Sequence, residues 1–395
     1  MEAKSRCVRK IQSRDIHGDK ELFLKIVEDM LEHAGVLRPA PNWDLSIGGK
    51  DGGKYFKETI VDGKDVPVFT EYEFNEEHYE EHFSTLNKML DPWVGCTGMG
   101  PVTPEIAKQY IDYLCGIDHL GLLDEYFDRE GHSKEGQCPL MVTDLGSMMD
   151  INLISSLLMS ETKLVIVEVG GGYGRLAEVF MNLFGPDRIK YVLVDAVPAS
   201  LMYSELYMKD RFPDVNIGSF YRDDDFDLEK HPCYVMPAWH FESLNANQFH
   251  VCINVQSMQE MSQEHVDYYL SLFNNIVQDR GLIYLSNEKD YVFRGQWNYP
   301  ENWQKVFQNR TPRSWTRHSP TEMFLKQAEG DFSSANQLLD FMYEKQLHDY
   351  DMVEYLKRQA TEASNVAADA KDIKEKLISI EQALNTSVLL KWKKG

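Results

Sequence analysis

The sequence has no paired cysteines, no long apolar run and no excess of basic charge, and each absence removes a class of function. Its six cysteines, Cys7, Cys96, Cys115, Cys138, Cys233 and Cys252, are scattered without a C-x-x-C pair. In a chain of 395 residues that spacing reads as free thiols in a reducing compartment, not as a disulfide frame or a zinc site. No stretch reaches the roughly 20 apolar residues of a membrane span. The start, Met1 to Lys10, is polar and lacks the apolar core of a signal peptide, so a cytoplasmic protein is expected. Basic residues number 41 against 63 acidic ones, a net charge of −22. That field repels phosphate backbones and anionic lipid, and excludes nucleic acid and membrane surfaces as expected partners.

What is present is a chain 43% hydrophobic, enough to bury a core, organised around one stretch from Leu164 to Leu176. Leu164 to Val167 is a continuous apolar run rich in β-branched residues, the pattern of a parallel strand covered on both faces. Gly170, Gly172 and Gly174 follow, where the backbone can turn tightly and approach a ligand. Arg175 to Phe184 carries apolar residues at helical spacing, and Gly185-Pro186 stops it. The next strand, Lys190 to Asp195, ends in an acid 21 residues beyond Gly174. An acid there suits a cofactor with a ribose diol to hydrogen-bond.

Two cofactor readings fit the glycines. As G-x-G-x-x-G/A, Gly172, Gly174 and Ala177 match a dinucleotide fingerprint. As acidic-x-G-x-G-x-G, Glu168, Gly170, Gly172 and Gly174 resemble the first motif of class I methyltransferases that use S-adenosyl-L-methionine. The second accounts for more residues, because Glu168 can meet a cationic amino group, whereas an anionic pyrophosphate gains nothing from it. An oxidoreductase would also want a Tyr-x-x-x-Lys pair, and the core of the fold has none.

Along the chain, residues 20–35 read as an amphipathic helix with a glycine stop. Residues 40–70 read as loop with a hairpin as the alternative, and 76–90 and 104–116 as helices flanking a small-residue loop at 91–101. A helical segment from Met148 to Ser160 leads into the core strand. Further strands are expected at Tyr234–Trp239, Phe249–Val255 and Gly281–Ser286, with a helix over about Gln263 to Gln278. The acidic run Asp223 to Glu229 reads as a solvated loop, and no metal set is expected. Alternation of strand and helix from 164 to 288 predicts an α/β fold, a Rossmann-like open sheet with helices on both faces. Three regions are expected: a mainly helical cap over 1–150, the cofactor-binding sheet over 151–320, and a helical extension over 321–395. In that extension Leu356 to Leu384 forms a heptad seam, suited to pairing two copies or to lying on its own domain.

Glu168 to Gly174, Tyr191 to Pro198, Met236 to Trp239 and Asn254 to Met261 together resemble the sugar O-methyltransferase family of bacterial polysaccharide and natural-product clusters, itself similar to class I methyltransferases. The resemblance covers roughly 140–300, and Ser257 to Met261 is its most specific piece. It implies S-adenosyl-L-methionine as cofactor and a small-molecule acceptor with a sugar-like hydroxyl; an amine or phenol of a natural product is the alternative. Cofactor contacts are then expected from Glu168, Gly170, Gly171, Gly172, Tyr173, Gly174, Asp195, Trp239, Asn254, Gln256 and Ser257.

A sugar hydroxyl is a weak nucleophile at neutral pH, so a general base is useful. His265 ranks first, at the start of the helix after the fourth strand, followed by His240 and Glu260. Residues 291–318 concentrate Trp297, Trp303 and Trp315 with Arg294, Arg310, Arg313 and Arg317. Trp297, Arg294 and Arg313 are therefore expected to hold an acceptor, with an indole on the sugar ring and guanidinium forks on an anionic group.

Overall fold

The protein is described from a computed structural model, which covers residues 19–37, 56–61, 64–69, 147, 150–155, 163–223, 226–287, 297–312, 318–330, 332–333 and 336. The chain divides into a unit Met1–Ser333 and a unit Ser334–Gly395. The strands and helices named below all belong to the first unit. The heptad seam at 356–384 and the expected helices at 76–90 and 104–116 lie outside the described residues.

Helix α1, Lys20–His33, starts where the Asp19 carboxylate accepts from the Glu21 and Leu22 amides. It buries Phe23, Ile26, Val27 and Met30 along one face. Strands β1, Phe56–Val61, and β2, Lys64–Phe69, pair antiparallel, so the alternative of a hairpin within 40–70 is the one found. Residues 150–155 are helical, within the expected lead-in.

The remaining strands form one eight-stranded sheet. In chain order they are β3 (Leu164–Val169), β4 (Ile189–Asp195), β5 (Ile217–Ser219), β6 (Cys233–Pro237), β7 (Phe249–Val255), β8 (Val277–Ser286), β9 (Trp303–Pro312) and β10 (His318–Lys326). Helix α2, Arg175–Phe184, connects β3 to β4, and α3, Pro198–Arg211, follows β4. Helix α4, Gln263–Ile276, connects β7 to β8. Across the sheet the order is β5-β6-β4-β3-β7-β8-β10-β9. From β5 to β8 all pairings are parallel, and β10 pairs antiparallel with both β8 and β9.

The chain winds outward from β3 to β4 and β6, then returns to lay β7 on the other side of β3. Right-handed crossovers in opposite directions place the two sets of helices on opposite faces. The strand order reverses between β3 and β7, and a crevice opens at the carboxyl ends of strands at such a point. The fold is thus the expected Rossmann-like sheet.

Periodicity marks no strand beyond Ser286 and leaves 291–318 as a segment free to fold over the crevice. Instead, β9 and β10 complete the sheet's edge. Their pattern hid them because β10 lies between two strands and buries charged residues. Glu322 is buried and accepts from Lys305 Nζ at 2.6 Å, and Lys326 Nζ donates to the Val277 carbonyl at 2.8 Å. Trp303 is fully buried and donates to Asn274 Oδ1 at 2.9 Å.

Candidate cofactor cleft

A cleft partly open to solvent lies at the carboxyl ends of β3 and β4. It is lined by Val169, Gly170 and Gly172 from the glycine turn and by Asp195 to Val197 and Ser200 from the second crossover. Ser257, Met261 and Tyr269 close the far side.

The glycine turn is held by β4. The amides of Gly170 and Gly171 both donate to the Val194 carbonyl, at 2.8 and 3.3 Å, and Gly174 N-caps α2. Gly170 and Gly172 sit at φ +74° and +55°, in the left-handed region that favours glycine. Their surroundings differ. A Cβ on Gly170 would lie 2.0 Å from the Ser257 hydroxyl, so absence of a side chain lets the β7 turn close onto the glycine turn. A Cβ on Gly172 would meet nothing within 4 Å, because that face opens on the cleft. Gly172 is therefore where backbone can come against a ligand.

Asp195 reaches back across the turn. Its Oδ2 accepts from the Gly172 amide at 3.0 Å and its Oδ1 from the Val197 amide at 2.9 Å. Burial raises this carboxyl from the ordinary 3.8 to about 6, against the amides of Val197, Gly172 and Ala196, which lower it. Each carboxylate oxygen keeps capacity for a further donor.

On the other wall, Asn254 is fully buried. Its Nδ2 donates to the Val169 carbonyl at 2.8 Å and its Oδ1 accepts from the Met258 amide at 3.0 Å. Asn287 in turn donates to the Asn254 carbonyl and accepts from the Gln259 amide, both at 3.3 Å. Gln256 adopts φ +58°, a rare conformation for a residue with a side chain, and its amide donates to the Ser286 carbonyl at 2.8 Å. Strain held beside a cleft by surrounding hydrogen bonds is typical of functional turns.

Of the residues expected at the cofactor, the structure brings Gly170, Gly172, Asp195 and Ser257 into the lining. Glu168 lies beneath it, buried, with Oε2 accepting from the Tyr191 hydroxyl at 2.8 Å. Burial pushes the Glu168 carboxyl from 4.5 to about 7, and Tyr191 and Arg175 pull the other way. Gly171 packs over Glu168 and Leu193. Tyr173 is buried edge-on against Tyr207. Asn254 and Gln256 shape the wall through backbone rather than lining it.

Trp239 is buried, and its indole donates to Asp29 Oδ2 at 2.6 Å. His240 is bound to the same carboxylate and stacked on Phe220, outside the lining. His265 sits in the first turn of α4, its Nδ1 2.5 Å from the Ser262 hydroxyl that also caps the helix. Glu260 closes a 3₁₀ turn, Met258–Glu260, and its side chain is outside the described residues.

Trp297 is buried and packs edge-on against Tyr299, so its indole is part of the core and not of the lining. Arg294 and Arg313 lie outside the described residues. In the acidic run, Asp223 accepts from the Ser219 amide and Asp227 from the Glu229 and Lys230 amides, so these acids hold turns.

Sequence reasoning misses Val169, Ala196, Val197, Ser200, Met261 and Tyr269 as lining. Ala196 to Ser200 follow directly on Asp195, and that adjacency is a signal that could have found them. Tyr269 has no such signal, since it enters from α4 only once the sheet has closed.

No protein-family model and no curated protein matches this sequence. Among solved structures, the chain is similar to the 1,6-didemethyltoxoflavin-N1-methyltransferase of Burkholderia thailandensis, solved with 1,6-didemethyltoxoflavin and S-adenosylhomocysteine. The identity is 13%, over 56% of this chain and 89% of that one, with a TM-score of 0.33. It is also similar to the CurJ carbon methyltransferase, at 10% identity over 78% of this chain and 91% of that one, TM-score 0.32. A third is the YcgJ protein from Bacillus subtilis, at 7% identity over 47% and 99%, TM-score 0.32.

Proposed function

We propose that the chain is an S-adenosyl-L-methionine-dependent methyltransferase acting on a hydroxyl of a sugar or sugar-like small molecule. One observation carries the cofactor: the open face of Gly172 and the carboxylate of Asp195 share one wall of a cleft at the strand-order reversal. Asp195 would accept from the ribose hydroxyls, and the bare backbone at Gly172 would let the ligand come close. Asp195 puts a carboxylate in the wall of the cleft, a setting that disfavours an anionic pyrophosphate beside it. When bound, the cofactor supplies a methyl group activated on a cationic sulfur. The protein's part is alignment, which alone can account for much of the rate.

The sugar hydroxyl is supported by Ser257-Met-Gln-Glu-Met261, the segment that carries the family resemblance, whose two ends line the cleft. His265 is our proposed general base. It follows the cleft residue Met261 by four positions, and the Ser262 hydroxyl orients its ring.

The test is calorimetry with S-adenosylmethionine, its demethylated product and NAD, on the wild type and on Gly172→Val. Binding of the first two and roughly a hundredfold loss in Gly172→Val, with the fold retained, are expected, because a β-branched side chain would stand in the cleft at a left-handed φ. Heat with NAD and none with S-adenosylmethionine would reject the assignment. His265→Ala should then lower turnover roughly 10²–10⁴-fold with cofactor affinity unchanged. Turnover equal to wild type there, with His240→Ala inactive, would move the base to His240; turnover equal to wild type in both would favour catalysis by positioning alone.

A further inference from the structure

Outside the cleft, α1 and the turn after β6 bring three metal-ligating side chains together. Asp29 and His33 are one helical turn apart on α1, and His240 stands on the 3₁₀ turn Ala238–Ser243. His33 Nδ1 is 2.9 Å from Asp29 Oδ1. His240 Nε2 is 3.3 Å from the same oxygen and 3.0 Å from Oδ2. One ligand atom from each residue lies within 4.8 Å of the others. Bonds of about 2.1 Å at tetrahedral angles separate ligand atoms by about 3.4 Å, so an ion needs only a small opening of this cluster.

The carboxylate is already oriented for such a role. Its Oδ2 accepts from the Trp239 indole and from the Tyr221 hydroxyl, each at 2.6 Å. Oδ1 faces His33 Nδ1, and His240 Nε2 lies against both oxygens. His240 is fixed by stacking on Phe220, with ring centroids 4.2 Å apart. Neutral donors that hold a ligating carboxylate, and packing that holds a ligating imidazole, are the outer supports metal sites use. His33 is 47% exposed, so one side of the cluster is reachable from solvent.

We infer that Asp29, His33 and His240 form a binding site for a divalent first-row transition ion, with an open position toward solvent. Two imidazoles and a carboxylate suit Zn²⁺, Co²⁺ or Ni²⁺, whereas Mg²⁺ and Ca²⁺ prefer all-oxygen sets. Each imidazole would bind the ion through the nitrogen that faces the carboxylate, any proton on that nitrogen passing to the other ring nitrogen or to solvent. Its structural effect is to clamp α1 to the carboxyl end of β6.

The full untagged chain, stripped with chelator, is titrated with Co²⁺ and followed by visible d–d absorption, then competed with Zn²⁺ and separately with Mg²⁺. The expected result is one Co²⁺ per chain, displaced by Zn²⁺ and not by Mg²⁺. His33→Ala, at an exposed position that tolerates truncation, should bind roughly a hundredfold more weakly. Trp239→Phe, which removes only the outer support, should lose roughly 10–100-fold. Absence of Co²⁺ binding, equal binding by wild type and His33→Ala, or displacement by Mg²⁺ would each overturn the site.

Discussion

The parallel centre of the sheet and its antiparallel edge use buried polar side chains in opposite ways. At the centre, Asp195 and Asn254 spend their hydrogen bonds on backbone: the amides of Gly172, Val197 and Met258 and the carbonyl of Val169. Bonds of that kind shape turns and leave a space between them. At the edge, Lys326 still bonds to backbone, but most buried side chains pair with side chains. Lys305 meets Glu322, Trp303 meets Asn274 and Ser286 meets Thr321. Lys305 also lies over the rings of Tyr299 and Phe324. Pairing of that kind fills space. The centre therefore has a cleft, and the edge has a packed seam whose role is stability.

The two acids make the contrast sharper. Glu322 is buried against a cation, Lys305, at 2.6 Å. Glu168 is buried against a neutral phenol, Tyr191. A buried carboxylate without a cation is costly, so Glu168 holds its proton into the neutral range, whereas the edge pair stays satisfied.

The largest effect expected is at the edge. Trp303→Ala removes a fully buried indole and strands the Asn274 carbonyl, so it should cost roughly 3–5 kcal/mol in urea or guanidinium unfolding. Cofactor affinity measured on the fraction still folded should not change. A large loss of affinity would break the division of labour.

Next comes the pH dependence of stability at the centre. A carboxyl whose folded value, about 7, lies above its ordinary 4.5 binds its proton more tightly when folded. Its stabilisation is full below pH 4.5 and is lost as pH rises through 7, by about 3 kcal/mol over that window. Glu168→Gln keeps an acceptor for Tyr191 and should flatten the profile between those limits. A profile of unchanged slope would mean that Glu168 is ionised in the folded protein throughout.

The smallest effect concerns Asp195. Its carboxyl titrates at about 6 in the folded protein. The carboxylate is the better acceptor for a ribose diol, so affinity for S-adenosylmethionine should rise about tenfold between pH 5 and pH 7. Asp195→Asn should bind weakly and without that pH dependence. Affinity falling with pH, or a pH profile kept by the variant, would remove Asp195 from the site.

The sequence by itself determined the centre. Leu164 to Val169, three spaced glycines, a helix and an acid at the end of the next strand are local signals, because turn and strand chemistry depends on near neighbours. From them came the parallel strands, the crevice position, and Gly170, Gly172 and Asp195 in its lining; Ser257 came with the family resemblance. Tertiary structure decided what depends on distant partners. Lys305 and Glu322 read as surface charges until strand pairing brings them together across the edge, and Trp297 and Trp303 read as a binding patch until the sheet closes over them. Glu168 reads as a ligand for a cation until Tyr191, 23 positions on, takes its oxygen. Asp29 and His240, 211 positions apart, meet only because α1 docks at the carboxyl end of β6. Periodicity reports which face of an element is buried; it carries no information about which buried polar group will find which partner.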